Sequence, residues 1–230
     1  MKSVLLIPLQ GPMQSWGTRS RFQERDTERE PSKSGVIGLL CAALGRDRSA
    51  PVEDLSSLKM GVRVDREGFL RRDFQTAQHV VTASGTQWED QISTRQYLAD
   101  AVFLVALEGE RDVLQRLHNA LANPVWPLFL GRKSYVPSLP VYLLDGLCDA
   151  TNLREALKEC SLLCAPRKGQ DEIRLILESS NVTHETRMDT PVSFALGGRE
   201  FSLRYVVTEF ITVDSFQLKE DDNVPIATCA

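Results

Sequence analysis

The sequence predicts an α+β fold of the ferredoxin-like type, with strands and helices in the order βαββαβ. Two runs, Val4–Ile7 and Ala101–Leu107, are apolar at every position. Such runs are typical of strands covered on both faces, because a strand with one wet face alternates apolar and polar residues. In this topology the first and third strands form the central pair, and these strands are the two apolar runs.

The first helix and the second strand follow from the next two segments. Pro31 with Ser32 or Ser34 offers a helix start, and Gly45 offers its end. The apolar residues that recur at helical spacing between them are Val36, Leu40, Ala43 and Leu44. Lys59–Asp65 alternates apolar and polar residues, so we expect an edge strand with one face in water.

The second helix is predicted directly after the third strand. Glu110 and Asp112 place negative charge near its start, where the helix dipole favours it. Asn123–Pro124 ends the helix, because proline disfavours a helical conformation at the preceding residue. The apolar residues on its inward face are Val113, Leu114, Leu117, Ala120 and Leu121. Leu139–Leu144 is predicted as the last strand of this domain.

The chain is predicted to divide at about residue 145. Residues 1–145 form the ferredoxin-like domain, and residues 66–96 within it are far more than a hairpin turn needs. We expect this polar, glycine-containing insertion to be a projecting hairpin. Residues 146–230 are expected to form a small β-rich appendage. Its predicted elements are a helix at Asn152–Cys160, strands at Glu172–Glu178 and Phe201–Ile211, and a loosely held acidic tail at Lys219–Ala230.

Composition restricts the possible classes of function. The net charge of −4 argues against a protein that neutralises nucleic acid over its whole surface, so any RNA site must be local. The 42% of hydrophobic residues indicates a globular chain. Five cysteines without a Cys-x-x-Cys spacing favour a reducing cytoplasm. A signal peptide and a membrane span are not expected, because no apolar run approaches the roughly 20 residues that cross a bilayer.

The residues typical of catalysis and metal binding do not form a set in the sequence. His79, His118 and His184 lie in unrelated predicted elements without a nearby nucleophile partner. His79, on the predicted hairpin, is the candidate general acid or base if the protein cleaves RNA. Cys160 and Cys164, taken with His184, lack a fourth zinc ligand. We therefore expect no metal, no cofactor and no catalysis.

The loop after the first strand carries residues suited to single-stranded RNA. Its sequence is Gln-Gly-Pro-Met-Gln-Ser-Trp-Gly from Gln10, and Arg19 and Arg21 follow. Stacking on Trp16, base-edge reading by Gln10 or Gln14, and phosphate contact by the arginines suit an unpaired strand. The alternative is that Trp16 caps the core.

A second candidate site is the segment Gly131–Ser134. It combines a flexible backbone, the cations Arg132 and Lys133, and a hydroxyl group. These groups can hold a phosphate, although a plain surface turn fits the pattern equally well.

Four segments resemble the CasD family, the type I-E CRISPR Cascade subunit that is the fifth Cas family. The segments are Gly11–Gly17, Pro31–Gly35 with Gly38–Leu40, Tyr97–Ala101 and Leu130–Ser134. The loop Gly-Pro-Met-Gln-x-Trp-Gly is highly specific, and the four segments together span roughly residues 1–145. The resemblance implies the RRM-like fold of the repeat-associated RNA-binding (RAMP) proteins, with a protruding thumb near Gln75–Gln96.

The resemblance also implies a function. It implies a non-catalytic subunit that binds crRNA by its 5′ handle within the Cascade ribonucleoprotein complex, in antiviral defence. The implied partners are the crRNA, the CasA large subunit, the CasC backbone subunit, other Cascade subunits and, indirectly, target DNA. Type I-C relatives imply the alternative, a metal-independent endoribonuclease that processes precursor crRNA. Those relatives use a Lys-His pair that is missing from this sequence, which favours binding without cleavage.

Thirteen residues are expected to contact RNA. They are Gln10, Gln14, Trp16, Arg19, Arg21, Lys33, Ser34, Arg46, Arg95, Gly131, Arg132, Lys133 and Ser134. At Lys33 the family often has arginine. Lysine keeps the charge and loses the bidentate geometry, which argues against a base-specific role at this position.

Overall fold

The computed structural model describes residues 2–18, 24–81, 85, 88–149 and 152–216. The strands are β1 (Lys2–Gln10), β2 (Met13–Gln14), β3 (Glu24–Arg25), β4 (Lys59–Arg66), β5 (Phe69–Val81), β6 (Trp88–Ala99), β7 (Val102–Glu110), β8 (Leu147–Cys148), β9 (Glu172–Ser179), β10 (Glu185–Ser193) and β11 (Glu200–Thr212). The helices are α1 (Lys33–Leu44), α2 (Glu53–Ser56), α3 (Arg111–Ala122) and α4 (Leu153–Glu159), followed by a 3-10 turn at Val213–Ser215. The chain is therefore a strand-rich α+β protein, as predicted. None of the helices described in these ranges has the length and apolar character needed to cross a bilayer.

The main sheet has seven strands in the order β10-β11-β9-β4-β7-β1-β8. β1 and β7 pair antiparallel along their whole length, from Lys2 opposite Glu110 to Gln10 opposite Val102. Alternate residues of both strands pack with α1 and α3 on one face and with α4 on the other. This confirms that the two apolar runs are neighbouring strands buried on both faces.

Helices α1 and α3 lie where the sequence predicts them. The Ser32 hydroxyl caps α1 by accepting a hydrogen bond from the Gly35 backbone N–H at 3.3 Å. Gly45 ends α1 with φ 67°, a left-handed conformation that glycine adopts without strain. His118 of α3 is buried, and its Nε2 lies 2.8 Å from the carbonyl oxygen of Leu143. This histidine therefore attaches α3 to the segment that contains Leu143.

The expectation that β4 is an edge strand is wrong. β4 lies between β7 and β9. Met60, Val62 and Val64 face the larger apolar cluster, but Arg63 and Asp65 on the opposite face are also buried, at 0% and 1% exposure. The polar alternation reflects a buried ion pair, which the sequence pattern alone does not distinguish from a wet face.

The expected strand at Leu139–Leu144 is also wrong. This segment is irregular, and Leu144 is 85% exposed. Pro140 within it has no N–H with which to join a sheet. The strand that pairs with β1 at this edge is β8, opposite Val4 and Leu5.

Strands β5 and β6 form a long antiparallel hairpin in the region of the expected insertion. The pairing runs from Phe69 opposite Ala99 to Val81 opposite Trp88, with a register shift between Ala77 and Val80. All residues of β5 except Asp73 are exposed. β2 and β3 pair with β6 and complete a second, four-stranded sheet.

The strands after residue 146 continue the main sheet, since β9 pairs with β4, β11 with β9, and β10 with β11. The helix and two strands predicted here correspond to α4, β9 and β11. Strand β10 was not predicted, because its sequence is polar and contains a proline. The division at about residue 145 stays a prediction, and the tail at Lys219–Ala230 lies outside the described residues.

The guanidinium of Arg63 joins β4 to the end of α4. It donates to the Asp65 carboxylate, from Nε at 2.6 Å and from Nη2 at 2.9 Å. Its Nη1 donates to the carbonyl oxygens of Leu157 and Cys160, and Asp65 also accepts from the Leu163 N–H at 2.8 Å. Each buried charge therefore has several partners, which offset the cost of removing it from water.

Replacing Asp65 with alanine is expected to lower the free energy of unfolding by about 3–5 kcal/mol, because Arg63 would remain buried and unpaired. Urea unfolding followed by circular dichroism measures the loss. The control is Glu209→Ala, which removes the acceptor of the exposed Arg154–Glu209 pair and should leave the midpoint unchanged. Equal losses in the two variants would contradict the role given to Asp65.

Candidate nucleic-acid interface

The loop after β1 buries two side chains that were expected to contact a ligand. Gln14 is 0% exposed and Trp16 is 1% exposed. The Gln14 amide donates to the carbonyl oxygens of Ala101 at 2.8 Å and Leu9 at 3.3 Å, and its Oε1 accepts from the Trp16 indole N–H at 3.2 Å. The expectations of base stacking on Trp16 and base reading by Gln14 are therefore corrected. Both side chains fix the loop from inside the protein.

Two glycines allow this loop to approach its neighbours. A Cβ on Gly35 of α1 would lie 2.7 Å from Cε3 of Trp16, so only glycine lets the ring rest on the helix. Gly131 has φ 90°, and a Cβ there would lie 1.7 Å from the carbonyl oxygen of Ser15. The Ser15 N–H also donates to the carbonyl oxygen of Leu130 at 3.1 Å. The two predicted RNA loops, around Trp16 and Gly131, are therefore held against each other.

Arg132 turns inward. Its guanidinium donates to the Tyr135 hydroxyl at 3.1 Å, to the Gln96 carbonyl oxygen at 3.2 Å and to the Arg25 carbonyl oxygen at 3.4 Å. Burial lowers the pKa of Arg132, and the Tyr135 hydroxyl opposes this effect. The side chain thus joins its loop to β6 at the hairpin base and to β3. It is half-buried, and its contact with RNA stays a prediction.

The expectation that Lys33 contacts RNA is also corrected, since its side chain is 2% exposed. Its ammonium group donates to the Glu178 carboxylate at 2.9 and 3.0 Å. Its backbone N–H donates to Asp189 at 2.8 Å, and Asp189 pairs in turn with Arg204 at 2.6 Å. Burial lowers the pKa of Lys33 and the Glu178 carboxylate opposes that effect. These bonds attach the start of α1 to the C-terminal strands.

The remaining predicted residues differ in accessibility. Arg46 pairs with Asp54 through two bonds of 2.6 and 2.8 Å, and this pairing raises its pKa. Arg95 donates to the Ser93 hydroxyl at 3.3 Å. The half-buried predicted residues are Gln10, Ser34, Arg46 and Arg95, and the exposed ones are Gly131, Lys133 and Ser134. Arg19 and Arg21 lie outside the described residues.

A groove of about 1160 Å³ brings several predicted residues together. The predicted RNA-contact residues that line this groove are Trp16, Ser34, Arg46, Gly131, Arg132 and Lys133. The tryptophan loop and the Gly131 loop form parts of its wall, and the surface of α1 lines it between Ser34 and Ala42. The structure thus joins segments that are about a hundred residues apart in the chain.

The groove contains further cations and aromatic rings that were not among the expected RNA contacts. They are Arg25, Arg48, Trp126, Phe129, Phe194, Arg199 and Phe201. The sequence around Trp126 gives a signal, because an aromatic residue between Pro124 and Pro127 suggests a rigid loop. Phe194, Arg199 and Phe201 give no such signal, since they come from the C-terminal strands and their connection.

The lining has a local positive charge although the chain is acidic overall. Six basic side chains line the groove and two acidic ones, Asp26 and Asp47, lie among them. In the ranges that the structure describes, Arg48, Lys133 and Arg199 are exposed and belong to no ion pair. Free cations beside aromatic rings suit a single-stranded nucleic acid, whose phosphates and bases both need partners.

A metal centre finds no support in the described part of the chain. There, no group of three or more His, Cys, Asp and Glu side chains is placed to hold an ion. His184 instead lies 2.9 Å from the Ser179 hydroxyl. His79 is exposed on β5, and its backbone N–H donates to Asp90 at 3.1 Å.

The model of the family described as CRISPR-associated protein (Cas_Cas5) matches residues 4–207. The chain belongs to the Cas5 family. It is 37% identical over 174 residues to the CRISPR system Cascade subunit CasD of Escherichia coli strain K12. That alignment covers 68% of this chain and 76% of the relative.

Two solved structures support this Cas5 assignment. The first, described as the crystal structure of a Cas protein, is 47% identical with a TM-score of 0.76, and the match covers 93% of this chain and 97% of that one. The second, from a CRISPR RNA-guided surveillance complex, is 34% identical with a TM-score of 0.77 and covers 95% of each chain. The similarity therefore extends beyond residue 146, where the sequence motifs give no match.

Exchanging Lys33 or Lys133 for alanine is expected to affect the stability of this Cas5 protein very differently. Lys33→Ala should lower the free energy of unfolding by about 3 kcal/mol, because it leaves Glu178 without its closest cation. Lys133→Ala removes an exposed side chain and should leave the unfolding curve unchanged. Thermal and urea unfolding of both variants provide the comparison. An unchanged Lys33 variant would show that its buried pair is not structural.

Proposed function

We propose that this chain is a non-catalytic crRNA-binding subunit of a type I-E Cascade complex and that it holds the 5′ handle of the guide RNA. The groove over α1 carries this proposal, because it places unpaired cations and partly exposed aromatic rings on one surface. The resemblance to CasD of Escherichia coli and to a chain of an RNA-guided surveillance complex supports it.

Within this proposal, residues found in the groove and residues expected from the sequence have different roles. Arg48, Lys133 and Arg199 are the proposed phosphate contacts, since they are exposed and carry no carboxylate partner in the described ranges. Trp16 is a buried residue of the groove wall, and Lys33 attaches the start of α1 to the C-terminal strands. The roles of Gln10, Ser34, Arg46, Arg95, Ser134, Arg19 and Arg21 in contacting the handle stay proposals.

The proposal extends to the fold and its partners. The order β8-β1-β7-β4 with α1 and α3 supports a ferredoxin-like RAMP description of roughly residues 1–145, with β8 just beyond that boundary. The hairpin of β5 and β6 is the proposed thumb, and its exposed apolar residues Leu70, Phe74 and Ile92 suit contact with a neighbouring subunit. We place the chain between the CasA and CasC subunits, in the cytoplasm, with target DNA reached only through the complex.

The salt dependence of RNA affinity tests the groove. Lys133→Ala is expected to make the slope of log affinity against log salt shallower by about 0.7, the value for one lost phosphate contact on a single strand. The measurement is filter binding of the purified chain to labelled repeat RNA at several salt concentrations.

The matched control for this measurement is Lys168→Ala. Lys168 is also exposed, but it lies between α4 and β9 and does not line the groove. Its variant should keep the slope of the original protein. Equal slopes in both variants would place the RNA elsewhere on the molecule.

A cleavage assay tests the proposed lack of catalysis. Incubation with labelled repeat RNA in the presence of a chelator should give binding without discrete products, because no histidine is among the described residues that line the groove. His79→Ala should behave like the original protein. Discrete products that vanish in this variant would instead support the metal-independent endoribonuclease.

A further inference from the structure

Two glycines of α1 have different surroundings. Gly35 is required by the ring of Trp16, which a Cβ would approach to 2.7 Å. A Cβ on Gly38 would meet no atom within 4 Å. Glycine inside a helix is unfavourable relative to alanine because it loses more chain entropy on folding, so packing in this chain gives Gly38 no advantage. Gly38 does line the groove.

Trp126 lies on the same side of α1 as Gly38. Its backbone N–H donates to the carbonyl oxygen of Ala42 at 3.1 Å, and the Val125 N–H donates to that of Ala43 at 3.0 Å. Ala42 is four residues after Gly38, so the two share a helix face and are separated by about 6 Å along the axis. Both line the groove. The backbone of Trp126 is therefore anchored about one helical turn away from the glycine.

The Trp126 side chain is both accessible and held in place. It is 44% exposed, whereas Trp16 in the same groove is 1% exposed. The backbone bonds that Val125 and Trp126 make to α1, together with the flanking Pro124 and Pro127, limit the motion of this loop. A half-exposed, restrained aromatic ring loses little conformational freedom when a flat ligand stacks on it.

We infer that Gly38 and Trp126 form a subsite for one unpaired nucleotide of the bound RNA. The ribose–phosphate backbone passes over α1 at Gly38, where any side chain would obstruct it, and the base stacks on the indole of Trp126. Arg48 and Lys133 line the same groove and supply charge for the adjoining phosphates. The inference rests on the proposed function. It assigns to Trp126 the base stacking that the sequence predicted for Trp16.

The experiment uses the purified full chain with two labelled probes. One is a pool of eight-nucleotide single-stranded RNAs of random sequence, and the other is a ribose–phosphate oligomer of the same length without bases. The variants are Gly38→Ala, Trp126→Ala, Lys133→Ala and Phe210→Ala. Phe210 is the control, since it is 61% exposed and does not line the groove.

Trp126→Ala is expected to weaken binding of the base-containing pool by about tenfold, and to leave binding of the abasic oligomer unchanged. Gly38→Ala is expected to raise the melting temperature, because alanine favours the helix, and to weaken binding of both probes by at least about threefold. A rise in stability together with a loss of affinity separates obstruction of the ligand from misfolding. Phe210→Ala should match the original protein with both probes.

Each remaining outcome has one meaning. Normal affinity of the Trp126 and Gly38 variants, with weakened binding by Lys133→Ala, overturns the subsite and leaves the proposed function standing. An equal loss for both probes in Trp126→Ala overturns stacking. Failure of the original protein to bind either probe overturns the subsite together with the proposed groove.

Discussion

The ring of Trp16 lies on the backbone of α1 at Gly35, and the wall of the groove depends on this contact. Gln14 holds the indole N–H and bonds to the carbonyl oxygens at Leu9 and Ala101, so the loop is tied to the ends of the two central strands. The Gly131 loop then packs on Ser15 so closely that no side chain fits between them. A rigid wall of this kind reduces the ordering that a flexible ligand must otherwise impose on the protein.

A buried cation lies at the start of α1 and an exposed cation lies just beyond its end. At its start, Lys33 is removed from water and is stable only because Glu178 lies 2.9 Å away and further charges surround the pair. Just beyond its end, Arg48 is exposed and has no partner in the described ranges. A phosphate can recruit only the second kind, since withdrawing Lys33 would leave Glu178 without its closest cation. Burial therefore decides which of these two cations is accessible to a ligand.

Patterns among residues close together in the sequence predicted much of the fold. The unbroken apolar runs at β1 and β7 identified the central strands, because a residue type that excludes water at every position requires cover on both faces. Caps at Ser32 and Gly45 marked the limits of α1. The errors arose where a distant segment intervened. Arg63 and Asp65 look like the wet face of an edge strand until β9 and the end of α4 enclose them.

For the site, the sequence identified two of the loops that line the groove, and the tertiary structure decided which side chains in them are accessible. The glycines, glutamine and tryptophan of the loop after β1 were recognisable as a motif, but a motif does not record which atoms are already bonded. Trp16 was buried by α1 and Trp126 left accessible by contacts between residues tens of positions apart. Phe194 and Arg199 reach the groove only because β9 extends the sheet beyond β4. Burial and proximity are properties of the folded chain, and local sequence contains neither.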